Sequence, residues 1–307
     1  MPKMILDRSI EIDAPKDKVF QVISDFNHWK PWSPWMIMEP EATMTIDEDS
    51  RYYSWEGKRV GTGNMKIRSE VENTSVDYDL NFLTPWKSYA DVRFELEEKE
   101  GKTTATWFME SSLPWFLFWM KKMMTAFVGM DFQRGLNMLK EYVESGAVSS
   151  RLDFVGKSTY PGCKYIGIKT DCTIDSISEA MSGDIDKLMT VAGQNIDNVA
   201  GEIFSIYHKW DMVKRKVSYT SGVPVKEIPA DLPEGLIAGV IPELSVYTLR
   251  HVGPYLHLGN AWTTLYSMER NKEIKCDKKH HPFETYMNNP AEVSPAELIT
   301  EIHFPLK

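Results

Sequence analysis

From Thr43 to Met109 this chain spells one strand after another, and the next regular feature is a single long amphipathic helix. That order leaves few folds open. Consecutive strands joined by short turns pair as an antiparallel meander, and one helix must then cover one of its faces. Turn punctuation at Asp47–Ser50, Glu72–Ser75 and Glu100-Gly101 divides the run. The helix carries Phe132, Leu136, Leu139 and Val143 as one stripe and closes on Gly146, which tolerates the left-handed conformation in which helices end. Ahead of the meander, residues 4–12 read as a strand with Ile10 and Ile12 on one face. Val19, Phe20 and Ile23 then mark a short helix entered through Asp13-Ala14-Pro15. Pro31 and Pro34 keep the following Trp29, Trp32 and Trp35 out of a regular helix.

Around Gly146–Val155 the style changes. Eight of the ten tryptophans precede residue 120, and only Trp210 and Trp262 follow. The small, polar SGAVSSRLDFVG reads as a linker, giving domains at 1–147 and 159–307 joined by 148–158. Beyond it, residues 164–170 read as a strand. A helix runs through Ile177, Met181, Ile185, Leu188 and Met189, a second helical stretch is expected around Val199–Trp210, and KRKVSYTSGVPV reads as a strand. The plan then repeats: a strand over 244–255, a helix with Leu258, Trp262, Leu265, Tyr266 and Met268, FETYMNNP at 283–290, and a strand over 298–306. Ile206-Tyr207 falls where Thr285-Tyr286 falls, and KVSYTSGVPV where ITEIHFPL does. The expected fold class is α+β. A helix-grip antiparallel sheet with its long C-terminal helix is followed by a pseudo-twofold duplicated strand-helix-strand-strand domain, with a cleft on the axis.

Charge and cysteines bound the partners. The net charge is −9, and residues 1–147 carry 18 basic against 24 acidic side chains, so nucleic acid is not an expected partner. Cys163, Cys172 and Cys276 lack CxxC spacing, and the N-terminal sequence lacks a signal-peptide core, so a cytoplasmic location is expected. The apolar run Leu113–Met120 is eight residues long, against the roughly 20 of a spanning helix, so no stable membrane insertion is expected. The Trp115–Trp119 segment with Lys121 and Lys122 reads as a packed helix start, with a lid or an interfacial segment touching membrane as the alternatives. No cofactor and no metal site is expected: His280 and His281 are adjacent residues that a strand would point apart.

The opening DRSIEIDAPKDKVFQVISDFNHWKPWSPW and the terminal helix element Gly135–Lys140 resemble the START-like, polyketide-cyclase or SRPBCC superfamily over residues 1–147. HVGPYLHLGNAW (251–262), HPFETYMNNP (281–290) and TEIHFPLK (300–307) resemble the GyrI-like family, the effector-binding domain also found in AraC-type and MerR-type regulators, over residues 152–307. No DNA-binding helix-turn-helix precedes it; a START-like domain occupies that place. The second resemblance implies an acidic residue of the F-E-x-Y strand, Glu284, at the bottom of the cleft, with Tyr286, Tyr207, Tyr247 and Trp262 as the aromatic box. A carboxylate in a poorly solvated box is costly unless paired, so it attracts a cation, and the ring faces add cation–π attraction. Most strand glutamates face water, and without the motif Glu284 would be read that way.

In the first half the aromatic density, including Trp55, Trp86 and Trp107, suggests a tunnel lined by rings. A tryptophan-rich core explains at least as many of them, since cores and linings share a composition. The expected function is sensing or sequestration of small hydrophobic or cationic aromatic molecules in two pockets. One alternative is a hydrolase of an electrophilic compound with Glu284 as acid or base; another is a module that inhibits a protein partner.

Overall fold

The computed structural model describes residues 3–84, 87–112 and 115–307, of which 115–117 by backbone only; Trp86 lies outside this set. The chain divides into two units, Met1–Ser150 and Arg151–Lys307.

The first unit is the meander the sequence demands. β1 (Lys3–Ile12), β2 (Thr43–Ile46), β3 (Tyr52–Gly57), β4 (Gly61–Val71), β5 (Ser75–Thr84), β6 (Ser88–Lys99) and β7 (Lys102–Ser112) form one antiparallel sheet ordered β1-β7-β6-β5-β4-β3-β2. α1 (Lys16–Ser24) follows β1, and α2 (Lys121–Ser145) lies along β1 on the inner face. α2 ends as expected: Gly146 has φ 84°, and its N–H donates to the Tyr142 carbonyl at 2.9 Å. Between sheet and helix the aromatic rings pack against one another. Trp107 stacks on Phe132 at 4.0 Å and on Phe94 at 4.9 Å, while Trp29 and Trp32 pack edge-on around them. Trp55 is buried, donates its indole N–H to the Val60 carbonyl and meets Phe82 edge-on. Trp55 and Trp107 are both buried members of this cluster. Each fully buried large side chain contributes roughly 1.5–3 kcal/mol, and mutual ring packing adds to that.

The second unit holds β8 (Arg151–Tyr160), β9 (Cys163–Thr173), α3 (Ile177–Gly193), β10 (Phe204–Asp211), β11 (Lys216–Val225), β12 (Ile237–Ile241), β13 (Leu244–Val252), α4 (Gly259–Arg270), β14 (Phe283–Tyr286) and β15 (Ile299–Pro305). Its sheet is ordered β12-β9-β11-β10-β14-β15-β13-β8. Two copies of strand-helix-strand-strand, β9-α3-β10-β11 and β13-α4-β14-β15, thus meet through their second strands, as a pseudo-twofold requires. Phe204 pairs with Thr285, Ser205 with Glu284 and Ile206 with Phe283. The axis passes between Ser205 and Glu284, and it carries FSIY of β10 onto FETY of β14.

Two sequence expectations change. Arg151–Tyr160, read largely as linker, is an edge strand paired with β13. An edge strand with little buried surface has no need of an apolar repeat, so its composition looks like a linker. The helix expected around Val199–Trp210 is strand β10. Val199, Ile203, Ile206 and Trp210 fall at helical spacing by coincidence, while the ladder to β11 and β14 on both sides fixes the strand.

Candidate functional site

β10 and β14 lie at the centre of the second sheet, and side chains alternate between its faces. Phe204, Ile206 and Phe283 join Tyr165 and Ile241 in an apolar cluster on one side. The intervening residues, Ser205, Tyr207, Glu284 and Tyr286, therefore share the opposite face, where α3 and α4 lie. α4 brings Trp262 to this face and α3 brings Met181; the two occupy corresponding places in the two halves.

Glu284 is 1% exposed, and the sequence alone would have sent such a strand glutamate to solvent. The Trp262 indole N–H donates to Oε1. The hydroxyls of Tyr207 and Tyr286 both donate to Oε2, at 3.0 and 2.9 Å. The Tyr286 oxygen also lies 3.1 Å from Ser205 Oγ and 3.2 Å from Met181 Sδ, and Ser205 Oγ lies 3.2 Å from Ser221 Oγ. With the Tyr286 proton committed to the carboxylate, the Ser205 hydroxyl is placed to donate to the Tyr286 oxygen. Rings complete the cage. Tyr207 meets Trp262 edge-on at 5.0 Å, and Tyr255 meets Tyr286 edge-on at 5.8 Å. Tyr255, 42% exposed, is the most solvent-exposed of these rings.

The electrostatics oppose one another. Burial pushes the Glu284 carboxyl above its ordinary value, while the donated bonds from Trp262, Tyr286 and Tyr207 pull it back; burial wins. Burial and then the Glu284 charge hold the Tyr207 and Tyr286 phenols well above their usual range, so both stay protonated donors. An ionised carboxylate offers about four lone-pair sites. Three are taken here, all by donors that can only stabilise the anion. The site is thus built for a carboxylate in a place where a carboxylate is poorly solvated, which is the condition for attracting a cation.

Of the residues expected from sequence, Glu284, Tyr286, Tyr207 and Trp262 come together. Tyr247 packs, as Trp262 does, against the apolar cluster of Leu249 and Phe304. Met181, Ser205, Ser221 and Tyr255 were not singled out as site residues. The alignment of FSIY with FETY places Ser205 opposite Glu284, and HVGPY places Tyr255 at the mouth of the strand-to-helix turn. His251, read as a helix cap, is a wholly buried strand residue opposite Thr300, and burial lowers its imidazole to about 4. His280 contacts Asp277 at 2.7 Å, while His281 faces the His208 ring. Among the described residues no three His, Cys, Asp or Glu side chains are grouped to hold a metal ion.

Comparison with known proteins gives two family matches. Residues 4–144 match the family described as polyketide cyclase / dehydrase and lipid transport. Residues 158–307 match the family described as GyrI-like small molecule binding domain. No curated protein matches the chain. Among solved structures, the EcmrR C-terminal domain is 21% identical, covering 52% of this chain and 98% of its own, with a TM-score of 0.40. SAV2435, solved bound to tetraphenylphosphonium, is 14% identical over 49% of this chain and 92% of its own, with a TM-score of 0.39. CalU16 from Micromonospora echinospora is 16% identical over 46% of this chain and 77% of its own, with a TM-score of 0.33.

Proposed function

Because the chain joins a polyketide cyclase-like domain to a GyrI-like small-molecule-binding domain, we propose that its second unit binds lipophilic aromatic cations, with Glu284 as the counter-charge. The observation that carries this reading is the three-donor cage. Glu284 accepts from Trp262, Tyr207 and Tyr286 although it is 1% exposed. A bound cation would return the Coulomb energy that burial takes away, and the surrounding rings would add cation–π attraction of roughly 0.5–2 kcal/mol. Access runs past Tyr255 and Met181, the solvent-facing ring and the flexible thioether at the edge of the cage.

Tetraphenylphosphonium, and the neutral triphenylphosphine oxide as its control, test this by thermal shift on wild type and Glu284→Gln. A cation at about a hundred times its Kd adds about 2.7 kcal/mol of stability. In a unit of this size that is a rise in Tm of roughly 5–10 °C. Wild type should show it with the cation alone, and Glu284→Gln should not. Equal shifts in the two proteins would remove Glu284 from the binding site.

A further inference from the structure

We infer that one end of the first unit docks reversibly on membrane surfaces rich in anionic phospholipid, through the apolar, basic start of α2. Between Glu110 and Asp131 the chain has no acidic residue, and its only charges there are Lys121 and Lys122. The segment expected to be a packed helix start is open to solvent. In the 3-10 turn Trp115–Met120 that leads into α2, Phe118 is 64% exposed and Trp119 67%; on α2 itself Met123 and Phe127 are exposed as well, Phe127 at 47%. The residues of α2 that face the sheet, among them Phe132, Leu136 and Leu139, begin one to two turns later. An apolar stripe of aromatic and methionine side chains with lysines beside it is the composition of a helix that lies in a lipid interface. No helix among the described residues is long and apolar enough to cross a membrane, so this one rests on the surface.

Charge placement selects the partner. The same end of the sheet holds the start of β1, where Lys3 is ion-paired with Glu110, the β5–β6 turn with Lys87, and the first turn of α2, which has no acidic side chain, so the net positive charge of this end comes from Lys87, Lys121 and Lys122. The turns at the far end carry Asp47, Glu48, Asp49, Glu72 and Glu100. β1 spans ten residues, so the ends stand about 30 Å apart, several times the Debye length of about 8 Å at physiological salt. The acidic turns therefore do not cancel Lys121 and Lys122 locally, although the chain as a whole carries a net charge of −9. A protein groove would be served by the apolar side chains alone. Lysines at a helix N-terminus, where the helix dipole disfavours them, point to an external anionic surface. This face is independent of the Glu284 cage.

Co-sedimentation of the full chain with phosphatidylcholine vesicles, with and without phosphatidylglycerol, tests the inference. Wild type should partition onto the anionic vesicles, and salt should weaken it. Each lysine near the surface is worth about fivefold, so Lys121→Glu with Lys122→Glu should lose at least about tenfold. Phe118→Ser with Phe127→Ser should also lose binding at low salt, with circular dichroism and the thermal transition unchanged because both side chains are exposed. Equal partition onto neutral vesicles, no partition at all, or variants that bind like wild type would overturn the inference. So would a concentration-dependent dimer, seen by light scattering without vesicle binding and abolished by the same substitutions, which would make the face a contact between copies.

Discussion

The two halves of the second unit share a backbone plan and differ at the positions that matter. Ser205 stands where Glu284 stands, and Met181 where Trp262 does. The registers also set Gly222 against His303 and Thr170 against His251. The first half keeps its own carboxylate away from the axis: Asp184 accepts from Thr170 Oγ1 at 2.7 Å and from Tyr219 Oη at 2.8 Å, and it is half-buried. The second half puts its carboxylate on the axis, fully enclosed. Symmetry therefore supplies the tyrosine pair, Tyr207 and Tyr286, and a single asymmetric residue supplies the charge they serve. One carboxylate between two phenols can be satisfied; two facing carboxylates could not both ionise.

That comparison can be broken most severely by restoring charge symmetry. Ser205→Glu places a second carboxylate opposite Glu284 in a buried site. We expect a loss of about 3–5 kcal/mol in urea unfolding. Combining it with Glu284→Ser moves one carboxylate to the mate position and should recover most of that loss. Failure of the double variant to recover would mean that the two positions are not equivalent.

Acid tests the halves next. His303 donates to or accepts from Thr248 Oγ1 at 2.9 Å, with Glu301 as its nearest acid, and burial lowers it to about 4. The unfolded chain binds that proton near pH 6.5 and the folded one only near 4, so stability falls as pH drops between those values. Burial gives His251 the same behaviour. Each contributes up to about 3 kcal/mol of loss below pH 4. His303→Gln should flatten the dependence of the unfolding midpoint on pH over that window; an unchanged slope would place the acid lability elsewhere.

Trp262→Phe sharpens the comparison at the site, because it keeps a ring and removes one donor to the anion. The expected cost is about 1.5–3 kcal/mol, as for other hydrogen bonds to charged groups. Cation affinity rises with pH as Glu284 ionises, and this variant should push that rise to higher pH, measurable by calorimetry across a pH series. The smallest effect belongs to Met181→Leu. It conserves volume and should cost less than about 1.5 kcal/mol while leaving cation binding within a few-fold of wild type. A large loss would make the thioether a ligand contact and not only an edge of the cage.

The meander, both long helices and the duplication were legible because each rests on a period or a punctuation mark that neighbouring residues carry. Gly146 closed α2 as its position demanded. β10 was misread because helical spacing arose by chance, and β8 because an edge strand leaves little trace in composition. The tryptophans of the first unit were ambiguous for a different reason: a ring packed on another ring and a ring lining a tunnel are the same letter.

By itself the sequence determined the two-part plan and the pairing of FSIY with FETY, since strand alternation, helical period and turn residues are local properties. The family motif drew attention to Glu284. Only the tertiary structure decided that this carboxylate is enclosed, that Trp262 and two tyrosines donate to it, that Trp107 stacks between Phe94 and Phe132, and that Phe118 and Trp119 face solvent. Burial and hydrogen-bond partners depend on residues as far apart as Tyr207 and Glu284, 77 positions in the chain. No local pattern can encode how such residues meet; the packed sheet sets it.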